Sequence, residues 1–236
     1  VFSGADMLQE NNGSGYGISD QFTMIAYIKR SADTSLDQSC IALLPWDFSG
    51  SYYDVRFDLD LTTIESNKYG DNTNRRTYKT GYTGNGTWYQ IILRQKTGGV
   101  DAEIWADGTK FTFYSGGPAG TVSFSKLGAV NIGSFFSGNL ELNGKVAEVG
   151  IWTSALSDAD VALLYNDTKR INQVAKSDLV RYWPLYDDLT DFTTNGGDQA
   201  IHTGTPTLDD ADHPTDPPIS SEIQPLMGYY MNMMRG

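Results

Sequence analysis

The 236-residue chain has a single cysteine, Cys40, so it closes no internal disulfide. Small secreted domains often lean on disulfides, and their absence favours synthesis in a reducing compartment. Histidine is almost as scarce. His202 and His213 stand apart from each other, and no helical pair of zinc ligands is present. No G-x-S-x-G nucleophile motif occurs, and the glycine-rich run GSGYG (13–17) is not followed by a clear helix, so it reads as a surface loop rather than a phosphate cradle. No apolar run approaches the roughly 18 residues of a membrane span. The opening residues, VFSGADMLQENN, lack a basic segment followed by an apolar one, which predicts synthesis in the cytoplasm. Basic residues are few: 17 Lys and Arg stand against 29 Asp and Glu, for a net charge of −12. Such a surface repels DNA, RNA and anionic lipid, so nucleic acid and membrane insertion are excluded as partners.

What the chain does have is glycine (25 residues), tyrosine (14) and short apolar segments bounded by turn residues. FTMIAYIKR (22–30) is dense in aliphatic and aromatic residues and predicts a strand. In DVRFDLDLT (54–62), Val55, Phe57, Leu59 and Leu61 alternate with Asp54, Arg56, Asp58 and Asp60, the period of a strand with one buried face. Asp58 and Asp60 then belong to a solvated face. GTWYQIILRQ (86–95) predicts a further strand, and VDAEIWADGTKFTFY (100–114) a hairpin around Asp-Gly. TVSFSKLGAVNIGSF (121–135), GKVAEVGIW (144–152) and LVRYWPLYDD (179–188) continue the pattern. One helix is predicted over 158–166, with Ser157 as N-cap, Asp160 at the capping-box position and Val161, Leu164 and Tyr165 as its apolar stripe. Phe57, Leu59, Ile91, Ile104, Ile132, Val149 and Trp152 are the expected core, and Trp88, Trp152 and Trp183 read as core residues of strands. Many short strands and one small helix define an all-β, two-sheet antiparallel sandwich.

Composition changes at LDDADHPTDPPISSEI (208–223), whose acids and prolines neither pack nor propagate a sheet. The expected organisation is a globular body over 1–213 and an extended strap and apolar tail over 214–236. The tail carries Leu226, Met227, Tyr229, Tyr230, Met231, Met233 and Met234 with one arginine. A free apolar end is an aggregation hazard. These seven residues are therefore expected to bind a surface, either on the chain's own body or on a neighbouring subunit, and methionine adapts well to such a groove.

The order of these pieces resembles the laminin-G-like, concanavalin A-like jelly-roll family. The matching stretches are FSGADML, FTMIAYIKR, GTWYQIIL, EIWADGTKF, AVNIGSF and LNGKVAEVGIWTSALSDADVALLYND, with RYWPLYDDLTDFTTN and AIHTGTPTL similar to the family's trailing strand pair. The resemblance implies a jelly-roll sandwich, one sheet concave, with loops at its rim. It does not fix activity, because relatives include glycan binders, adhesion modules, hydrolases and virion surface proteins. It also implies a structural calcium ion in some members. Here the acidic pair that follows the glycine of the late strand is reduced to Ala147 and Glu148, so Asp6 and Glu148 are the residues left to hold calcium, and no cofactor is required.

Glycoside hydrolysis needs two carboxylates flanking the scissile bond. Glu103, Trp105 and Asp107 are similar to the acid triplet of laminarinase-type hydrolases, but Trp105 replaces the middle acid and Asp107 shapes a turn. The reading is therefore non-enzymatic. Sugar rings stack on Tyr and Trp faces while carboxylates and amides hold hydroxyls. PWDFSGSYYD (45–54) and KYGDNTNRRTYKTGYTGN (68–85) supply that chemistry, with Trp46, Asp47, Tyr52, Tyr53, Tyr69, Tyr78 and Tyr82 as the candidate glycan residues. The sequons at Asn12, Asn85 and Asn166 carry no weight without an export signal. A fold of extracellular surfaces without export signal or disulfides fits a virion surface component, made in the host cytoplasm and assembled through its tail with other subunits. The alternative is an extracellular or cell-surface carbohydrate-binding module.

Overall fold

A computed structural model describes residues 7–30, 38–48, 52–57, 64–70, 73–79, 86–97, 102–111, 113–116, 124–135, 140–165, 169–185 and 201–203. These form two antiparallel sheets and one α-helix. The strands, in chain order, are β1 (Met7–Asn11), β2 (Phe22–Arg30), β3 (Gln38–Pro45), β4 (Tyr52–Phe57), β5 (Ile64–Gly70), β6 (Thr73–Lys79), β7 (Tyr89–Gln95), β8 (Glu103–Ala106), β9 (Thr109–Phe111), β10 (Phe113–Gly116), β11 (Leu127–Ile132), β12 (Gly144–Trp152), β13 (Leu179–Trp183) and β14 (Ile201–Thr203). The large sheet runs β10-β6-β5-β4-β3-β11-β1-β14 and the small sheet β13-β12-β2-β7-β8-β9. β10 and β11 follow each other in the chain, yet β6, β5, β4 and β3 lie between them in the large sheet, a long crossing of the kind a jelly roll makes.

The core lies between the sheets. β2 shows why its sequence is apolar almost throughout: Phe22, Met24, Ala26 and Ile28 face the inter-sheet core, while Ile25 faces outward under a second apolar cluster. That second cluster is made by the helix α1 (Asp158–Tyr165), whose Val161 and Leu164 pack with Ile92, Trp152, Ile171 and Tyr182 on the outside of the small sheet. Both faces of the central strands are therefore buried. Ile91, Ile104, Ile132, Val149 and Trp152 are all buried as expected.

Local signals were legible where they were short-range. Ser157 Oγ accepts from the Asp160 N–H at 3.1 Å, and the Ser157 N–H donates to the Asp160 carboxylate at 3.3 Å, completing the capping box. Asp107 and Gly108, between β8 and β9, both have positive φ (47° and 70°), the backbone of a tight hairpin turn. The Asp107 Oδ1 accepts from the Gln90 N–H at 2.9 Å, which ties the turn to β7.

Boundaries differ from the sequence reading in several places. β4 is described over Tyr52–Phe57, and Leu59, with Asp58, Asp60 and Leu61, lies outside the described residues, as does the side chain of Phe57. A 3-10 turn over Phe124–Lys126 takes the start of the expected 121–135 strand. β13 ends at Trp183, before Pro184, whose carbonyl accepts from the Glu148 N–H at 3.1 Å. Tyr165 does not complete the helix's buried stripe. It is exposed, and its ring lies over Gly108 in the β8–β9 turn. Trp152 and Trp183 are core residues, but Trp88 precedes β7 and is half-buried, with the Lys29 Nζ 6.0 Å from its ring centroid. Among the described residues no helix is long and apolar enough to cross a membrane. Residues 204–236, with the strap and tail, lie outside the described residues.

Candidate functional site

At the end of β3 the chain leaves the large sheet through Pro45 and turns sharply at Trp46, Asp47 and Phe48. The Phe48 N–H closes the turn on the Pro45 carbonyl at 2.9 Å. Phe48 has φ 53°, a left-handed conformation uncommon for a bulky residue. Three contacts hold this tip, from the end of β1 and from the 3-10 turn before β11. The Trp46 N–H donates to the Lys126 carbonyl at 2.8 Å, the Asn11 Nδ2 donates to the Trp46 carbonyl at 2.9 Å, and the Lys126 Nζ meets the Asp47 carboxylate at 2.6 Å. Both backbone groups of Trp46 are thus tied down while the residue remains 37% exposed. Phe48 is 38% exposed, so two of the three large exposed hydrophobic residues among the described ones sit within one turn.

Next to this tip, on the outward side of the large sheet, polar amides and aromatics continue. The Gln9 Nε2 donates to the Asn131 Oδ1 at 2.9 Å, and the Asn131 Nδ2 donates to the Phe135 carbonyl at 2.6 Å. The Tyr52 ring packs on Phe135 with centroids 4.5 Å apart, over Ala42, Leu44 and Ala129. Backbone register places Tyr52 opposite Tyr69, and Tyr69 opposite Asn74.

Of the expected glycan residues, the structure therefore brings Trp46 and Asp47 together at an exposed tip and leaves Tyr52 half-buried beside Phe135. Tyr53 is a correction. It is fully buried, its ring packs edge-to-face with Phe22 with centroids 4.7 Å apart, its hydroxyl donates to the Gln95 Oε1 at 3.2 Å, and burial pushes its pKa up. The alternation of β4 sends Tyr52 and Tyr53 to opposite faces, so adjacent tyrosines cannot share one site. Tyr69 and Tyr78 lie in β5 and β6, where only the backbone is described, and Tyr82 lies outside the described residues. So do Asp6 and the tail residues Leu226, Met227, Tyr229, Tyr230, Met231, Met233 and Met234.

Glu148 is buried at the β12 bulge with φ 50°, where its carboxylate accepts the Tyr182 hydroxyl at 2.6 Å. Among the described residues, no group of three or more His, Cys, Asp and Glu is gathered to hold a metal ion. Asn11 and Lys126, which hold the tip, are residues that sequence reasoning missed. They lie 35 and 79 residues from their tip partners, and no local pattern marks them.

Glu103 is enclosed by cations. The Arg94 Nη2 meets its Oε2 at 2.5 Å, the Lys96 Nζ meets its Oε1 at 3.2 Å, and Lys110 also binds Oε1. Partial burial pushes the Glu103 pKa up, but the hydrogen bonds from Lys110 and Arg94, the Arg94 charge and Lys96 outweigh it and hold it at about 2. The same guanidinium binds the Leu156 carbonyl at 2.5 Å and Asp158 at 2.7 Å, so this cluster anchors the start of α1 to β7 and β8.

Two antiparallel sheets wrapped around one core, with an aromatic tip at the rim of the larger, define a lectin-type jelly roll. The chain belongs to the Concanavalin A-like lectin/glucanases superfamily, whose Laminin_G_3 sequence model matches residues 3–162. Three solved structures are similar to it in fold. One is a putative carbohydrate binding protein from Bacteroides ovatus, at 18% identity and TM-score 0.56, covering 88% of this chain and 59% of that one. Another is the full-length tailspike protein 2 of an Escherichia coli O157:H7 bacteriophage, at 18% identity and TM-score 0.51, covering 75% and 25%. The third is the botulinum neurotoxin serotype D binding domain, at 12% identity and TM-score 0.51, covering 71% and 41%. This chain thus spans well under two thirds of the length of each. No curated protein matches it. The superfamily takes its name from both lectins and glucanases, so membership alone does not separate binding from catalysis.

Proposed function

We propose that the chain is a non-enzymatic glycan-binding module, with Trp46 as its stacking platform, displayed in many copies on a virion surface as a capsid decoration, tail or fibre component. The observation that carries the binding reading is the tip: an exposed tryptophan whose backbone N–H and C=O are both fixed by residues far along the chain, Lys126 and Asn11. A platform held before the ligand arrives loses little freedom on binding. Laying one sugar face on the indole buries on the order of 50–100 Å² of apolar surface, about 1–2.5 kcal/mol. That is well short of the roughly 4 kcal/mol of a millimolar site, so useful adhesion requires added hydrogen bonds at the rim and many copies, as a particle supplies. Fold similarity to a phage tailspike supports the virion setting. The clamped Glu103 supports the non-enzymatic reading, since a carboxyl held at about pH 2 has no proton to donate near neutrality.

Calcium at Asp6 and Glu148 remains part of the proposal only as a rim stabiliser; chelator treatment that lowers the melting temperature checks it. The binding reading is tested by a glycan array with the full chain and with Trp46→Ala. Binding that Trp46→Ala weakens at least tenfold, with an unchanged melting temperature, supports it. Array binding indifferent to Trp46 refutes the site. The alternative, a cellular carbohydrate-binding module, draws on the fold similarity to the putative carbohydrate binding protein of Bacteroides ovatus, and the chain's presence in purified particles distinguishes the two.

A further inference from the structure

We infer that Gly15 and Gly128 are positioning residues for the Trp46 tip, setting the spacing between the two backbone anchors that grip it. The inference rests on the glycan-binding reading and deepens it, because it assigns the orientation of the stacking platform to residues away from the ligand.

Trp46 spans a seam. Its N–H donates to the Lys126 carbonyl on one side, and its C=O accepts from the Asn11 amide on the other. The two sides are the 3-10 turn that leads into β11 and the end of β1, and these strands pair, with Asn11 opposite Ala129. Beyond that pair the glycine-rich run GSGYG (13–17) continues the contact. The Asn12 N–H donates to the Gly128 carbonyl at 2.7 Å and the Tyr16 N–H to the Leu127 carbonyl at 2.9 Å, while the Gly15 N–H closes a turn on the Asn12 carbonyl at 2.8 Å. Tyr16 is buried and fixes the far end of the run. Its hydroxyl donates to the Glu10 carboxylate, and the Arg181 Cζ lies 4.9 Å from its ring centroid.

Backbone meets backbone across the seam. A Cβ on Gly128 would stand 2.5 Å from the Gly15 Cα and 2.9 Å from the Asn12 carbonyl oxygen. A Cβ on Gly15 would stand 2.9 Å from the Ser125 carbonyl oxygen. These neighbours are main-chain atoms, which cannot rotate away as the end of a side chain can, so an added methyl must part the two sides. Parting them moves Lys126 relative to Asn11, and Trp46 then cannot keep both anchors. The neighbouring glycines provide the contrast. Gly17 has φ 73°, close to the 77° of Gly15, but a Cβ there meets nothing within 4 Å. Gly13 is open as well and has no left-handed φ. Gly17→Ala therefore strains the backbone without wedging the seam, Gly15→Ala does both, and Gly128→Ala wedges without that strain.

The test labels the full chain with fluorotryptophan and follows the Trp46 resonance, identified by its loss in Trp46→Phe, by fluorine NMR. Gly15→Ala and Gly128→Ala should shift or broaden that resonance, while those of the core residues Trp152 and Trp183 stay in place. Gly13→Ala should move nothing. Gly17→Ala should lower the melting temperature and leave the Trp46 resonance unmoved. With a sugar found on the glycan array, Gly15→Ala and Gly128→Ala should weaken binding roughly tenfold, the loss expected when the ligand must order its own platform, and Gly17→Ala should bind as the unaltered chain does. Asn11→Ala removes one anchor without a wedge and should move the resonance too, so a glycine variant that fails to fold does not shelter the inference. A Trp46 resonance unmoved by Asn11→Ala, or by both wedging variants when folded, overturns it. So does one that Gly17→Ala moves as far as Gly15→Ala, which would make backbone strain and not spacing the cause. If no sugar binds the unaltered chain, the glycan reading falls, and the fluorine resonance still decides whether these glycines position the tip.

Discussion

At the scale of single residues, the neighbouring tyrosines of β4 teach the most. Their sequence context is the same, yet Tyr52 packs outward on Phe135 and Tyr53 is sealed in the core. Tyr53→Phe should lower stability in urea denaturation by about 1 kcal/mol, the worth of one buried hydrogen bond to Gln95, and leave glycan binding unchanged. Gly108 is a second instance. Its φ of 70° suits glycine, and a Cβ there would run into the Tyr165 ring. Gly108→Ala should cost about 2–4 kcal/mol from strain and overlap together. Adding Tyr165→Ala should recover the overlap and leave about 1–2 kcal/mol from the backbone. Thermal unfolding of the single and double variants checks both numbers. The Asp-Gly turn was legible in sequence; the tyrosine above it was not, because it comes from a helix some 57 residues on.

At the scale of elements, α1 is held to the small sheet by apolar packing and by one buried arginine. Arg94 reaches Glu103 on β8 and both the Leu156 carbonyl and Asp158 at the helix start. The hydrogen bond from Arg94 holds the Asp158 carboxyl below its usual range as well. Glu103 has a folded pKa of about 2 against an ordinary 4.5. Its contribution is therefore fully present above about pH 4.5 and is lost as pH falls from there toward 2. Glu103→Gln should lower the melting temperature at neutral pH, and the gap from the unaltered chain should close as the pH is lowered through that window. A gap that persists at pH 2 would show that the carboxylate charge is not what stabilises the helix anchor. Glycan binding at Trp46 should be unaffected in this variant.

At the scale of the whole molecule, the core described between the two sheets is built from residues 8–185, and the strap and tail are expected to stand apart from it. Deleting residues 214–236 should leave the body folded, with its melting temperature within a few degrees, and weaken association with a neighbouring subunit. Calorimetry together with sedimentation or particle incorporation measures both. A truncated chain that unfolds would make the tail an internal strap, and one that assembles as well as the full chain would remove the tail from the interface.

The sequence by itself determined the class of fold, because period-two apolar segments, the Asp-Gly hairpin and the Ser157 capping box are short-range signals that act within a few residues. It determined the membership of the aromatic segment 45–54, and with Trp46 and Asp47 part of the candidate site. Only the tertiary structure decided which aromatics face water. That choice depends on strand register and on partners far along the chain: Asn11 and Lys126 fix the Trp46 tip, while Gln95 and Phe22 enclose Tyr53. A one-residue step along a strand reverses the face, so no composition or local pattern distinguishes Tyr52 from Tyr53 until the neighbouring strands are in place.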